Sequence, residues 1–252
     1  MICVSVLADT NRKALGMIKK AFAVAEMAEV RIDRIPTPDL RAIVAARNGM
    51  LIVTNRCRRE GGHFAGSERD RVGLLGEAVR LGADFVDIEA SADRSLVGDL
   101  AAEISARRGK TKMIVSNHVF SETPSLRSLL RRLDSCRALG ADVVKIVTRA
   151  RSAEDNLRVL QLIPHSLAEG QPIAAFCMGP KGKISRVLAP LFGSCISYAS
   201  LGKGSESAPG QLRVSEMRRA WRVLAGNDPG FESSDTLLSL PEPRPRPKRR
   251  RY

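Results

Sequence analysis

A lysine stands in the middle of an apolar run, Val143-Val144-Lys145-Ile146-Val147. A charged amine buried in a strand is costly, and a neutral amine attacks carbonyls. The alternative is an edge strand that turns Lys145 to water. His118 follows Met113-Ile114-Val115-Ser116-Asn117, which places it just past a strand end. Histidine shuttles protons near neutral pH, but a structural, hydrogen-bonding histidine fits this position equally. His63, in a Gly-rich loop, and His165, after Pro164, read as bystanders. Glu29-Val30-Arg31-Ile32-Asp33 sets three charges on one face of a strand at period two. Such a face is a salt-bridge ladder, a grip for a polyhydroxylated ligand, or both. Arg56 and Glu60 bracket a turn that ends in Gly61-Gly62. Met178 to Arg186 forms a Gly-rich loop that enters a helix. It could cradle a phosphate, or Arg186 could hold a carboxylate. Ser207-Ala208-Pro209-Gly210-Gln211 is a further loop near the end of the pattern.

These residues sit on or beside eight short apolar runs: Ile2–Leu7, Glu29–Ile32, Met50–Thr54, Phe85–Ile88, Lys112–Val115, Val143–Val147, Pro172–Cys177 and Ile196–Ala199. Helical periodicity lies between most of them, as in Arg71–Leu81, Leu126–Leu139 and Asp155–Ile163. Gly82-Ala83-Asp84 and Gly140-Ala141-Asp142 each put a helix-ending glycine before a strand. Strand–helix alternation predicts right-handed βαβ units and a parallel sheet. Eight units fit a closed single-domain (β/α)8 TIM barrel better than a doubly wound sheet, and the first strand lacks the GxGxxG turn of the dinucleotide-binding form. The barrel is expected to span residues 1–226. Residues 227–252, rich in Pro and Arg, are expected to be a disordered tail.

Composition narrows the class. Hydrophobic residues make up 44% of 252 and aromatics 4%, so the core must be aliphatic, as buried parallel strands require. Five cysteines, an odd number with no CxxC pair, argue against a disulfide framework or zinc site and for a reducing cytoplasm. No apolar run approaches the roughly 20 residues of a membrane span, and Ile2–Leu7 is too short for a signal peptide. Of the net charge of +14, six basic residues and one acidic residue within 241–252 supply five, leaving nine. The remaining Arg and Lys form no single stripe, so a solvated basic surface is expected rather than a nucleic-acid face.

Eight segments, met in order, carry a family resemblance. They are Glu29–Asp33, Arg56…Glu60-Gly61-Gly62, Asp87-Ile88-Glu89, Ser116-Asn117-His118…Thr123-Pro124, Val144-Lys145-Ile146, Met178-Gly179…Ile184-Ser185-Arg186, Phe192-Gly193-Ser194 and Ser207–Gln211. From about Ile2 to Leu224 the chain resembles the type I 3-dehydroquinate dehydratases. The resemblance implies that Lys145 forms an imine with substrate, that His118 is the general acid/base, and that Glu60 orients and tunes it. It implies that Arg186 binds the substrate carboxylate, that Met178 packs on the substrate ring, and that Glu29, Arg31, Arg56, Ser207 and Gln211 surround the hydroxyls and carboxylate. Phe176 stands where some relatives have methionine, and the Pro–Arg tail has no counterpart. The implied reaction converts 3-dehydroquinate to 3-dehydroshikimate in a cytoplasmic homodimer, with no metal or organic cofactor. A class I aldolase would also explain Lys145, with phosphate in the 179–183 loop, but not His118 after Ser116-Asn117. A non-catalytic nucleic-acid-binding barrel has only the charge in its favour.

Overall fold

The computed structural model describes residues 1–225; the expected tail lies outside them. Eight strands alternate with helices: β1 (Ile2–Val6), β2 (Met27–Arg31), β3 (Met50–Thr54), β4 (Phe85–Glu89), β5 (Lys112–Val119), β6 (Val143–Arg149), β7 (Ile173–Met178) and β8 (Ser197–Ala199). The helices are α1 (Asn11–Phe22), α2 (Leu40–Ala45), α3 (Glu68–Leu81), α4 (Arg94–Ala106), α5 (Leu126–Ala138), α6 (Glu154–Leu160), α7 (Leu162–Ala168), α8 (Lys183–Leu188) and α9 (Val214–Ala225). All strand pairs are parallel, in the order β7-β6-β5-β4-β3-β2-β1-β8. The sheet thus curls into a nearly closed (β/α)8 barrel. No ladder joins β7 to β8 among the described residues. There the seam is held by the Cys195 amide on the Ile173 carbonyl at 2.9 Å and by Phe176 against Tyr198.

Both faces of each strand are buried, which is why the strands read as apolar runs. Outward residues such as Val4, Val30, Val86 and Ile88 pack under the helices in one large core. Inward residues divide by height. Cys3, Met27, Ile52, Phe85, Ile114 and Val143 fill the lower interior with apolar side chains. Above them the inward positions turn polar: Glu29 on β2, Asp87 and Glu89 on β4, Ser116 and His118 on β5, and Lys145 on β6.

The repeated Gly-Ala-Asp has a definite job at the lower rim. Gly82 and Gly140 take φ of 91° and 83° as α3 and α5 end. The aspartate after each accepts the first open amide of the neighbouring strand: Asp84 from Leu51 at 2.9 Å and Asp142 from Met113 at 2.7 Å. Glu26 does the same for Ile2 at 2.8 Å. Staggered strands leave those amides without a partner strand, and a buried N–H without an acceptor is costly.

Three expectations need correction. The fifth strand runs on to Val119, so His118 lies within it, paired with Val147, rather than past its end. The stretch expected as one helix over Asp155–Ile163 is two, α6 and α7, parted at Gln161. Pro164 has no N–H to return to Leu160, so one continuous helix cannot pass that turn. Asp33 is not on the strand face with Glu29 and Arg31. Ile32–Arg34 forms a 3-10 turn, which swings Asp33 inward to accept from Arg31 at 2.7 Å and from the amides of Arg56 and His63.

Candidate active site

Lys145 projects from β6 into the upper barrel and is only 4% exposed. Its Nζ donates to Glu29 at 3.2 Å and Asp87 at 3.0 Å, and lies 4.1 Å from the centroid of the Tyr198 ring. The edge-strand alternative is therefore excluded. Asp87 also pairs with Arg56 at 2.9 Å and accepts from Ser116 at 2.6 Å. Arg56 reaches on to Glu89 at 3.0 Å, and Glu89 pairs with Arg71 of α3 at 2.7 Å. Burial would raise the carboxyl of Asp87, but the charges of Arg56 and Lys145 hold it well below the usual range. Burial opposes ionisation of Glu29 too, and Lys145, Arg31 and Arg56 outweigh it. Asp87 and Glu29 thus stay anionic beside the amine.

His118 stands on the adjacent strand. Its Nδ1 lies 2.8 Å from Glu60, which also accepts its backbone amide at 3.1 Å. Glu60 ends the 3-10 turn Arg58–Glu60, whose tight exit needs Gly61 at φ 78°. Its other oxygen accepts from Ser91 at 2.8 Å, so the carboxylate is fixed from both sides. With Nδ1 committed to Glu60, Nε2 is the nitrogen left for a reacting proton. Burial lowers the imidazole pKa, as do the charges of Arg56 and Lys145, while Glu60 raises it; the net direction is down. The neutral, proton-accepting form is thereby favoured. Glu60, which burial alone would raise, lies below its ordinary value through its bond to His118.

The opposite wall comes from β7, α8 and the loop after β8. Arg186 of α8 is 3% exposed. Its guanidinium carbon lies 4.6 Å from the Phe176 centroid, and Nε and Nη2 are buried without hydrogen-bond partners among the described residues. Desolvation pushes its pKa down to about 10. A buried guanidinium with two idle donors on one edge is shaped for a carboxylate. The Gly179–Lys183 segment is not an open phosphate cradle. The amides of Gly179, Gly182 and Ser185 are taken by Pro209, Gly179 and Asn156. Gly179 instead receives the next loop, where Gly210 sits so close that a Cβ would lie 2.1 Å from the Gly179 carbonyl oxygen. That contact sets Ser207 and Gln211 over the barrel. Ser207 donates through its amide at 2.7 Å and its hydroxyl at 3.1 Å to the Gln211 side-chain oxygen. Gln211 Nε2 is left buried and unpartnered among the described residues.

One pocket of about 560 Å³, counting the solvent at its mouth, is lined by Lys145, His118, Glu60, Glu29, Arg31, Arg56, Met178, Arg186, Ser207 and Gln211. Every site residue named from the sequence is therefore brought together. Arg31 is half-buried, tied to Asp33 and reaching the Gly61 carbonyl at 3.4 Å. Sequence reasoning gave no role to Tyr198 or Phe120, which also line the pocket, nor to Asp87 and Glu89 beneath it. The pair Asp87/Glu89 was detectable as acid at period two in an apolar strand; a tyrosine in such a strand reads only as core. Among the described residues no cluster of His, Cys, Asp or Glu is arranged to hold a metal ion, and no helix is long and apolar enough to cross a membrane.

Known proteins resemble this chain in sequence and fold. A family model described as Type I 3-dehydroquinase matches residues 2–228. A 3-dehydroquinate dehydratase of Methanothermobacter thermautotrophicus is 40% identical over 231 residues, covering 90% of this chain and 98% of its own. One from Desulfotalea psychrophila is 37% identical over 217 residues, covering 86% and 95%. Among solved structures, the 3-dehydroquinate dehydratase of Geobacillus kaustophilus superposes with a TM-score of 0.80 at 27% identity, covering 90% of this chain and 91% of its own.

The Glu60–His118 contact predicts a signed pH effect. Glu60→Gln removes the hydrogen-bonded carboxylate that pulls the imidazole pKa upward, so His118 stays neutral to lower pH. The acid limb of kcat/KM should move to lower pH while the plateau falls by about tenfold or more, since the ring loses its charged acceptor. A pH–rate profile checks this; an acid limb that moves upward refutes the assigned pairing.

Proposed function

The chain belongs to the type I 3-dehydroquinase family, and on that premise we propose that its pocket removes water from 3-dehydroquinate through an imine on Lys145. The activity is that of a hydro-lyase, the dehydration step of the shikimate pathway toward aromatic amino acids. The observation that carries the residue roles is the convergence of a buried lysine, a carboxylate-held histidine and an unpartnered arginine on one cavity.

Lys145 adds to the C3 carbonyl and water leaves, giving a protonated imine. That cation is a better electron sink than the ketone. His118 takes the C2 proton, which leaves an enamine. The enamine expels the C1 hydroxyl, and His118 returns its proton to that oxygen so that it departs as water. Hydrolysis of the product imine releases 3-dehydroshikimate and the free lysine. Arg186 pairs with the substrate carboxylate, and Phe176 beneath the guanidinium holds it aimed. Glu29, Arg31, Arg56, Ser207 and Gln211 meet the hydroxyls and carboxylate, and Met178 packs on the ring.

A homodimer is supported by exposed apolar side chains on α8 and the turn after it: Ile184, Leu191 and Phe192. A cytoplasmic location is supported by five free cysteines, four of them buried, and cell fractionation checks it. The catalytic domain is read as residues 1–226, with 227–252 as a dispensable tail.

Borohydride added with substrate should fix a covalent adduct on Lys145, mapped by peptide mass. Lys145→Ala should give neither adduct nor activity. His118→Ala should lose at least about a hundredfold in rate yet still yield adduct, more slowly. An adduct on Lys181 or Lys183, or activity surviving in Lys145→Ala, overturns the mechanism. Arg186→Ala should raise KM by about a hundredfold, because water replaces a two-point carboxylate contact poorly; unchanged kinetics would mean that the carboxylate binds elsewhere. Truncation after Gly226 should keep turnover within about tenfold of the full chain and a dimeric mass by light scattering.

A further inference from the structure

Tyr198 turns the face of its ring toward the reacting nitrogen. Lys145 Nζ lies 4.1 Å from the ring centroid. The ring is seated on the β7–β8 seam, 5.6 Å from Phe176 with 46° between the planes. Its hydroxyl is buried and has no hydrogen-bond partner among the described residues. The hydroxyl therefore does not hold the ring; packing does, and what the ring offers Lys145 is its face.

Nζ has three described contacts in the resting enzyme, and imine chemistry treats them differently. The ammonium carries three hydrogens and gives one each to Glu29 and Asp87. When the amine condenses with a ketone, a C=N bond forms, the carbonyl oxygen leaves as water, and the protonated imine keeps a single N–H. One N–H can serve only one carboxylate well. Contact with an aromatic face needs no hydrogen, only positive charge close to the ring. It is the one of the three that survives the change in hydrogen count intact. A planar C=N also lies flat on a ring more easily than a tetrahedral ammonium does.

We propose that Tyr198 is a positioning residue whose ring face seats the protonated imine of Lys145 and favours that cation over the neutral carbinolamine before it. This rests on the reading of Lys145 as the imine-forming residue. It makes the ring, and not the phenol, the functional part of Tyr198. Glu29 and Asp87 neutralise the resting ammonium, and the ring carries the charge forward when one of them loses its hydrogen bond.

The test replaces Tyr198 with phenylalanine and then with its mono-, di- and trifluorinated analogues. Ring size is nearly constant across this series while the face becomes steadily less negative. The readout is the rate at which borohydride-trapped adduct accumulates on Lys145, beside turnover. Tyr198→Phe should stay within about threefold of wild type, and each added fluorine should lower the rate, to about tenfold below Tyr198→Phe for the trifluoro ring. Tyr198→Leu should fall at least as far; if it fails to fold, the fluorinated series still decides. A rate flat across the series, with adduct on Lys145 in every member, would overturn the proposal by reducing the ring to packing. A large loss already in Tyr198→Phe would overturn it as well, by placing the role in the hydroxyl. Absence of any Lys145 adduct in wild type would instead sink the imine reading itself.

Discussion

Glu29, Lys145, Asp87, Arg56, Glu89 and Arg71 form an unbroken alternation of sign that crosses the upper barrel from β2 to α3. Three cations face three carboxylates, all buried. Removing any one leaves a neighbour charged and dry, at a cost of several kcal/mol. That constraint fixes more than local geometry. The members come from β2, β4, β6, the end of β3 and α3, so they can meet only if each strand keeps its register. A slip by one residue would turn an ion outward under the helices and an aliphatic side chain into the site.

The two ends of the barrel follow from this. The lower interior holds Cys3, Met27, Ile52, Phe85, Ile114 and Val143, with no charged side chain among them. Its needs are met by the carboxylates of Glu26, Asp84 and Asp142 on orphan amides at the rim. Above, acids, Lys145 and His118 face a wall of Phe176, Met178 and Tyr198, and the pocket opens at the strands' C-terminal ends. Gly210 against Gly179 joins the two late loops, so the residues of the 207–211 loop are placed by the same contact that closes that side of the pocket.

The strands were legible because burial on both faces writes an apolar run of the right length. The site residues were legible for the opposite reason: Lys145 and Glu29 break those runs at inward positions. Legibility failed where the deciding partner is distant in sequence. Asp87 and Glu89 stood out as a motif, but their meaning lies in Arg56, Arg71 and Lys145, which approach only when the sheet curls. His118 was placed outside its strand because Ser116, Asn117 and His118 look like a loop; they pair with Lys145, Ile146 and Val147 all the same. Tyr198 sits in a three-residue strand at a seam, where its type and spacing are those of ordinary core. The split of α6 from α7 follows from Pro164, which lies just past the stretch whose leucine periodicity reads as one helix.

Arg186 shows what the alternating network leaves undone. Lys145 and Arg56 are as buried as Arg186, yet each has two carboxylates beside it, and Arg186 has an aromatic ring and two idle donors. Burial pulls its pKa to about 10, so it remains charged at neutral pH and no acid among the described residues repays its desolvation. A fold that neutralises Lys145, Arg56 and Arg71 could have placed an acid on α8 or β7; the space is occupied by pocket instead. On the proposed function the countercharge is the substrate carboxylate, and an anion that binds only the folded barrel also stabilises it by mass action. Specificity follows from the same imbalance. A neutral ligand of equal shape would leave the guanidinium buried and unpaired, so the wall that weakens the empty enzyme also discriminates against ligands without a carboxylate.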